Sequence, residues 1–127
     1  MSEKHEEIAL LEARRQAIKD GWNKYRFFGE PPTPGTPVEQ RLIETCERYV
    51  TYAVSEKLRG KAVASKPMQD GSESEQRVLH NQLAMMTVGD TRTGLDLKAA
   101  TRIKEYAFSI ARPGFSVDEI YAMEIEK

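Results

Sequence analysis

Side chains able to do catalysis or bind metal are scarce: two histidines, His5 and His80, and one cysteine, Cys46, in 127 residues. The common zinc ligand sets cannot be assembled from so few groups in one chain. No acid stands four residues before or after His80. The imidazole therefore lacks the neighbour that would orient it as a general base, and it reads as a boundary histidine. Cys46 falls on an apolar helical stripe, where a thiol behaves as a small buried hydrophobe. The acid pairs Glu6-Glu7, Glu44/Glu47 and Glu124/Glu126 lie in helical segments with no histidine at ligand spacing, so they read as solvated charge. The expectation is a protein that is not an enzyme, with no catalytic residue, metal or cofactor.

The second kind of chemistry is anion binding. Nineteen basic and 20 acidic residues give a net charge of -1, so no global field draws in nucleic acid or an acidic membrane, and only a local patch would serve. Lys57, Arg59, Lys61 and Lys66 precede the next acid, Asp70, and make the most basic stretch of the chain. Arg92, in a turn bounded by Gly89 and Gly94, joins Lys98 and Arg102, themselves one helical turn apart, as a second small basic face. The turn lacks the spacing and lysine of a phosphate loop. Residues Gln82 to Gly89 faintly resemble the first helix and turn of a helix-turn-helix. The glycine comes one residue late, however, and Gly94 would interrupt the helix meant for the groove. These seven cations support one alternative function, a small anion-binding module for nucleic acid or a nucleotide.

The elements that position these groups read as helices throughout. Thr36-Pro37-Val38-Glu39 combines an N-cap residue, a proline at the first helical position and an acid able to reach back. Val38, Leu42, Ile43, Cys46, Tyr49, Val50, Ala53 and Val54 then cover nearly half the circumference of a helix ending near Gly60. So wide a stripe predicts a central helix. Before it, residues 3 to 28 place Ile8, Leu11, Ile18, Trp22 and Tyr25 on one face, with Arg15 the one charge inside the stripe. Leu10, Ala17 and Phe28 form a second, thinner line. Gly21 either interrupts this helix or permits close packing.

Prolines 31, 32 and 34 exclude helix from residues 29 to 35, which predicts a stiff connector between the first two helices. Residues 60 to 71 read as a loop. Ser72-Glu73-Ser74-Glu75 opens a third helix to about Val88, with Val78, Leu79, Leu83 and Met86 as its core face. A fourth runs from about Asp96 to Ala111, with Ala100, Ile103, Tyr106, Ala107 and Ile110 inward. Arg112-Pro113-Gly114 breaks it, and Ser116-Val117-Asp118-Glu119 starts a short last helix, with Phe115 and Ile120 placed for a hydrophobic staple.

The expected fold is therefore all-α: a compact bundle of four main helices plus a short C-terminal one, forming a single domain over residues 1 to 127, with 1 to 28 as a separable N-terminal helix. No apolar run approaches the ~20 residues that span a bilayer, and residues 1 to 7 lack the apolar core of a signal peptide, so a cytoplasmic protein without membrane contact is expected.

Two apolar lines on one helix imply two covering bodies, and the aromatic cluster Trp22, Tyr25, Phe27 and Phe28 abuts the connector. Leu10, Trp22, Tyr25, Phe27 and Phe28 are thus the candidate interface, and the leading expectation is an interaction protein that binds proteins and self-associates. Small chains without catalytic motifs are also common among phage and mobile-element accessory factors, an association that adds to this expectation.

Overall fold

The computed structural model describes residues 2–62, 72–87 and 97–125, all of whose regular structure is helical. The chain runs α1 (Ser2–Tyr25), α2 (Pro37–Ala62), α3 (Ser72–Thr87), α4 (Leu97–Ala111) and α5 (Val117–Ile125). Helix α2 packs against α3, α4 and α5, and α4 packs against all four of the others. The centre predicted for α2 alone is therefore shared with α4. The reason lies in α4's composition: Ile103, Tyr106, Ala107 and Ile110 face inward as expected, and Phe108 and Ala111 are buried as well, so apolar residues cover more than one face.

Helix α2 buries Leu42, Ile43, Cys46, Tyr49, Val50 and Ala53, while Arg41, Glu44, Arg48 and Ser55 are exposed on the opposite side. Val38 departs from the expectation and is 53% exposed, since in this first turn it is Glu39 that turns inward to meet Arg15 of α1. In α3, Leu79, Leu83 and Ala84 are buried and Val78 is exposed, so the core stripe is narrower than its apolar residues suggest.

The ends of α2 and α5 follow their caps. Thr36 Oγ1 accepts the Glu39 N–H at 3.4 Å, and Glu39 Oε1 accepts the Gly35 N–H at 3.0 Å, one residue before the cap. At α5 the capping box closes reciprocally, with Glu119 N–H donating to Ser116 Oγ at 3.1 Å and Ser116 N–H to Glu119 Oε1 at 2.8 Å. Ile120 is buried behind this cap, and Phe115 stays exposed.

Helix α1 ends at Tyr25 rather than at Phe28, and its closure explains why. Arg26 adopts a left-handed φ of 54°. The Arg26 N–H then donates to the Asn23 carbonyl at 3.4 Å and the Phe27 N–H to the Trp22 carbonyl at 3.1 Å. That pair of bonds is a Schellman motif, and its usual hydrophobic contact is present as an edge-on packing of the Trp22 and Phe27 rings, 5.5 Å apart. The motif normally uses glycine at the left-handed position, so its signal was absent from the sequence.

Candidate interaction surface

The Schellman closure delivers the chain to Phe28 and fixes it there. The Phe28 N–H donates to the Thr87 carbonyl at 2.7 Å, satisfying one of the acceptors left free at the C-terminus of α3. One residue on, the Gly29 carbonyl accepts the Trp22 Nε1–H at 3.2 Å. The backbone of residues 27 to 29 is thus held at three successive positions. The Phe28 side chain is nevertheless 76% exposed, the most exposed large hydrophobic side chain among the described residues. An aromatic ring on a fixed backbone loses little freedom when a partner covers it, which is the property of an interface anchor.

The other candidate interface residues separate into three groups by burial. Trp22 and Phe27 lie in the core, packed edge-on against Tyr106 at 6.3 and 4.9 Å between ring centroids. Tyr25 is half-buried, and its hydroxyl donates to a Glu105 carboxylate oxygen at 3.2 Å. Burial, with the Glu105 charge behind it, pushes that phenol up to about 12. Leu10 is exposed, as are all residues from His5 to Glu12, including Ile8 at 54% and Leu11. The apolar line that packs into the core through Ile18 and Trp22 therefore continues toward the N-terminus without a described neighbour. Since Ile18 and Trp22 belong to the shared core, the second half of α1 is an integral part of the bundle.

Arg15, the one charge inside that line, has a buried partner. Its Nε and Nη2 donate to the two carboxylate oxygens of Glu39 at 2.7 and 3.1 Å, and Glu39 is only 5% exposed. The Arg15 hydrogen bonds hold the Glu39 carboxyl below its ordinary range despite the opposing effect of burial. Arg14 bridges Glu47 at 3.2 Å and the Ala111 carbonyl at 3.3 Å, so α1 is tied to α2 and α4 by polar contacts above its apolar ones.

Of the predicted anion-binding residues, Lys57 is exposed with its ammonium over the Tyr121 ring, and Arg102 is half-buried with an Nε that has no partner among the described residues. No described contact joins these two. The backbones of Arg59 and Lys61 in α2 and of Lys98 in α4 are helical, but their side chains lie outside the description, as do Lys66 and Arg92 altogether. The Gly89 to Gly94 turn is likewise outside the described residues.

Cys46 is fully buried, and burial pushes its thiol up, away from the reactive thiolate. His80 is half-buried with Nδ1 at 3.2 Å from the Tyr49 hydroxyl, and burial lowers its basicity. Among the described residues no group of three or more His, Cys, Asp or Glu is placed to hold a metal, and no helix is long and apolar enough to cross a membrane. Among the described residues, two open cavities flank α2. One of about 1050 Å³ lies between α2 and α3 beside Met85, and one of about 410 Å³ lies between α1 and the proline connector. Comparison with family models, curated proteins and solved structures finds no match to this chain.

Proposed function

We propose that this chain is a non-enzymatic interaction protein that works by binding other proteins and by self-association. The observation that supports this reading most directly is the exposed Phe28 ring on a backbone held at three successive positions. A large aromatic in water contributes nothing to the monomer's core, and a partner that covered it would recover the apolar burial it lacks. The uncovered first half of α1, with Ile8, Leu10 and Leu11 exposed, supplies the surface for a second copy. An accessory role in a phage or mobile element fits the same profile of a small chain acting through contact alone.

Sedimentation of the wild type and of Phe28→Ser and Ile8→Glu/Leu11→Glu tests this. The expected result is an oligomer for the wild type and a lower mass for both variants, with helicity unchanged because all three side chains are exposed in the monomer. A wild type that sediments as a monomer at high micromolar concentration would sink the self-association.

A further inference from the structure

Three helices converge on one ring at the far side of the bundle. Lys57 Nζ of α2 stands 4.7 Å from the Tyr121 ring centroid, and Lys104 Nζ of α4 stands 5.3 Å from the same point on α5. Lys104 Nζ also lies 5.9 Å from the ring of the buried Phe108, which packs edge-on against Tyr121 at 5.4 Å. The two ammoniums are thus no farther apart than roughly 10 Å, the distance over which charges feel each other at 0.1 M salt. Lys104 is two residues from Tyr106, so it projects about 160° away from the α1 contact on a helix of 3.6 residues per turn.

Among the described residues neither lysine makes an ion pair. Glu56 and Asp118 pair with neither, Glu105 accepts from the Tyr25 hydroxyl, Glu119 is used in the α5 cap and Glu124 by Arg112. The Tyr121 hydroxyl makes no hydrogen bond to a described residue. A face of the ring attracts each ammonium weakly, but it leaves N–H donors unmatched and does nothing to offset the repulsion between the two charges. What these groups lack in common is a negatively charged acceptor.

We infer that Lys57, Lys104 and Tyr121 form a binding site for a phosphate-class oxyanion. Such an ion carries close to two negative charges and several acceptor oxygens, which matches two ammoniums and a hydroxyl better than the single charge of a carboxylate. Both ammoniums approach the same ring, so the two charges already stand near each other before an anion arrives. Sequence reasoning reached Lys57 only through the charge run that follows it. Lys104 and Tyr121 were missed because their partners lie on other helices.

Titrating the full chain with sodium phosphate against sodium chloride at equal ionic strength, and following the lysine side-chain and Tyr121 signals by NMR, tests the site. Saturable shifts at Lys57, Lys104 and Tyr121 specific to phosphate are expected. The double change Lys57→Met/Lys104→Met keeps the apolar stems and should weaken the response by about tenfold or more, while Tyr121→Phe, which removes one hydrogen bond, should weaken it by about fivefold. A linear response equal to that of chloride overturns the inference, as does saturation undiminished in the double variant or in Tyr121→Phe. A parallel titration with a 20-nucleotide single strand identifies the source. Saturation at the same three residues assigns the phosphate to a nucleic-acid backbone, and saturation by inorganic phosphate alone assigns it to a free phosphate group.

Discussion

The ring of Tyr106 lies directly on Gly21, so that a Cβ at position 21 would overlap its Cδ1 and Cε1 atoms. The tyrosine hydroxyl then reaches the Ile18 carbonyl at 3.0 Å, one turn earlier on the same helix. Gly21 is therefore the opening that lets α4 press its largest core side chain against the backbone of α1. Burial accordingly pushes the Tyr106 phenol up. The helical cost of the glycine, up to ~1 kcal/mol, is offset by this packing.

Gly21→Ala is thus predicted to destabilise by about 1 to 2 kcal/mol although alanine is the better helix former, because the forced displacement of a packed ring typically costs ~1 to 3 kcal/mol. Urea unfolding measures it. In a Tyr106→Ala background, which removes the Cγ, Cδ1 and Cε1 carbons that the new Cβ would meet, the same change should become neutral or stabilising. A gain in stability in the wild-type background would mean that the two helices do not meet there.

Arg26 gives the opposite sign. A non-glycine residue in the left-handed region is strained by ~1 to 2 kcal/mol, and no other side chain is needed at that position to complete the Schellman bonds. Arg26→Gly should stabilise by about 0.5 to 1 kcal/mol after the added freedom of the unfolded chain is subtracted. Thermal unfolding reads this as a rise in Tm of a few degrees for a domain of this size. No change or a fall would show that Arg26 makes a contribution that outweighs its backbone strain.

Helix type and order were legible because periodicity and caps are local. Thr36, Pro37 and Ser116 announce their helices within four residues, and the α2 and α4 stripes repeat over several turns. The fate of each aromatic was not local. Trp22 and Phe28 are six residues apart and equally apolar, but one meets Tyr106 and the other meets solvent, because a left-handed residue at 26 turns the chain between them. Arg15 is the instructive case. Its position as the one charge inside an apolar stripe was legible, whereas its partner, Glu39, lies 24 residues away and is met only once α1 is placed beside the first turn of α2. The Lys57, Lys104 and Tyr121 cluster was illegible for the same reason, being drawn from three helices that share no sequence pattern.

The pairing of Arg15 with Glu39 fixes a pH dependence with a definite sign. The Glu39 carboxyl, at an ordinary value of 4.5 in the unfolded chain, is held lower in the folded protein, first by the Arg15 hydrogen bonds and then by the Gly35 N–H. Below pH 4.5 the unfolded state therefore binds more protons than the folded one at this site, so stability rises with pH there. The contribution is complete above the ordinary carboxylate range and is lost as the pH falls through the folded value. Glu39→Gln abolishes this titration. The variant should be less stable than the wild type at pH 7, since Arg15 loses its charged partner, and its denaturation midpoint should fall less steeply between pH 5 and 3. Midpoints that run parallel for the two proteins across that interval would mean that Glu39 titrates alike in both states, and that the bidentate pair does not persist in solution.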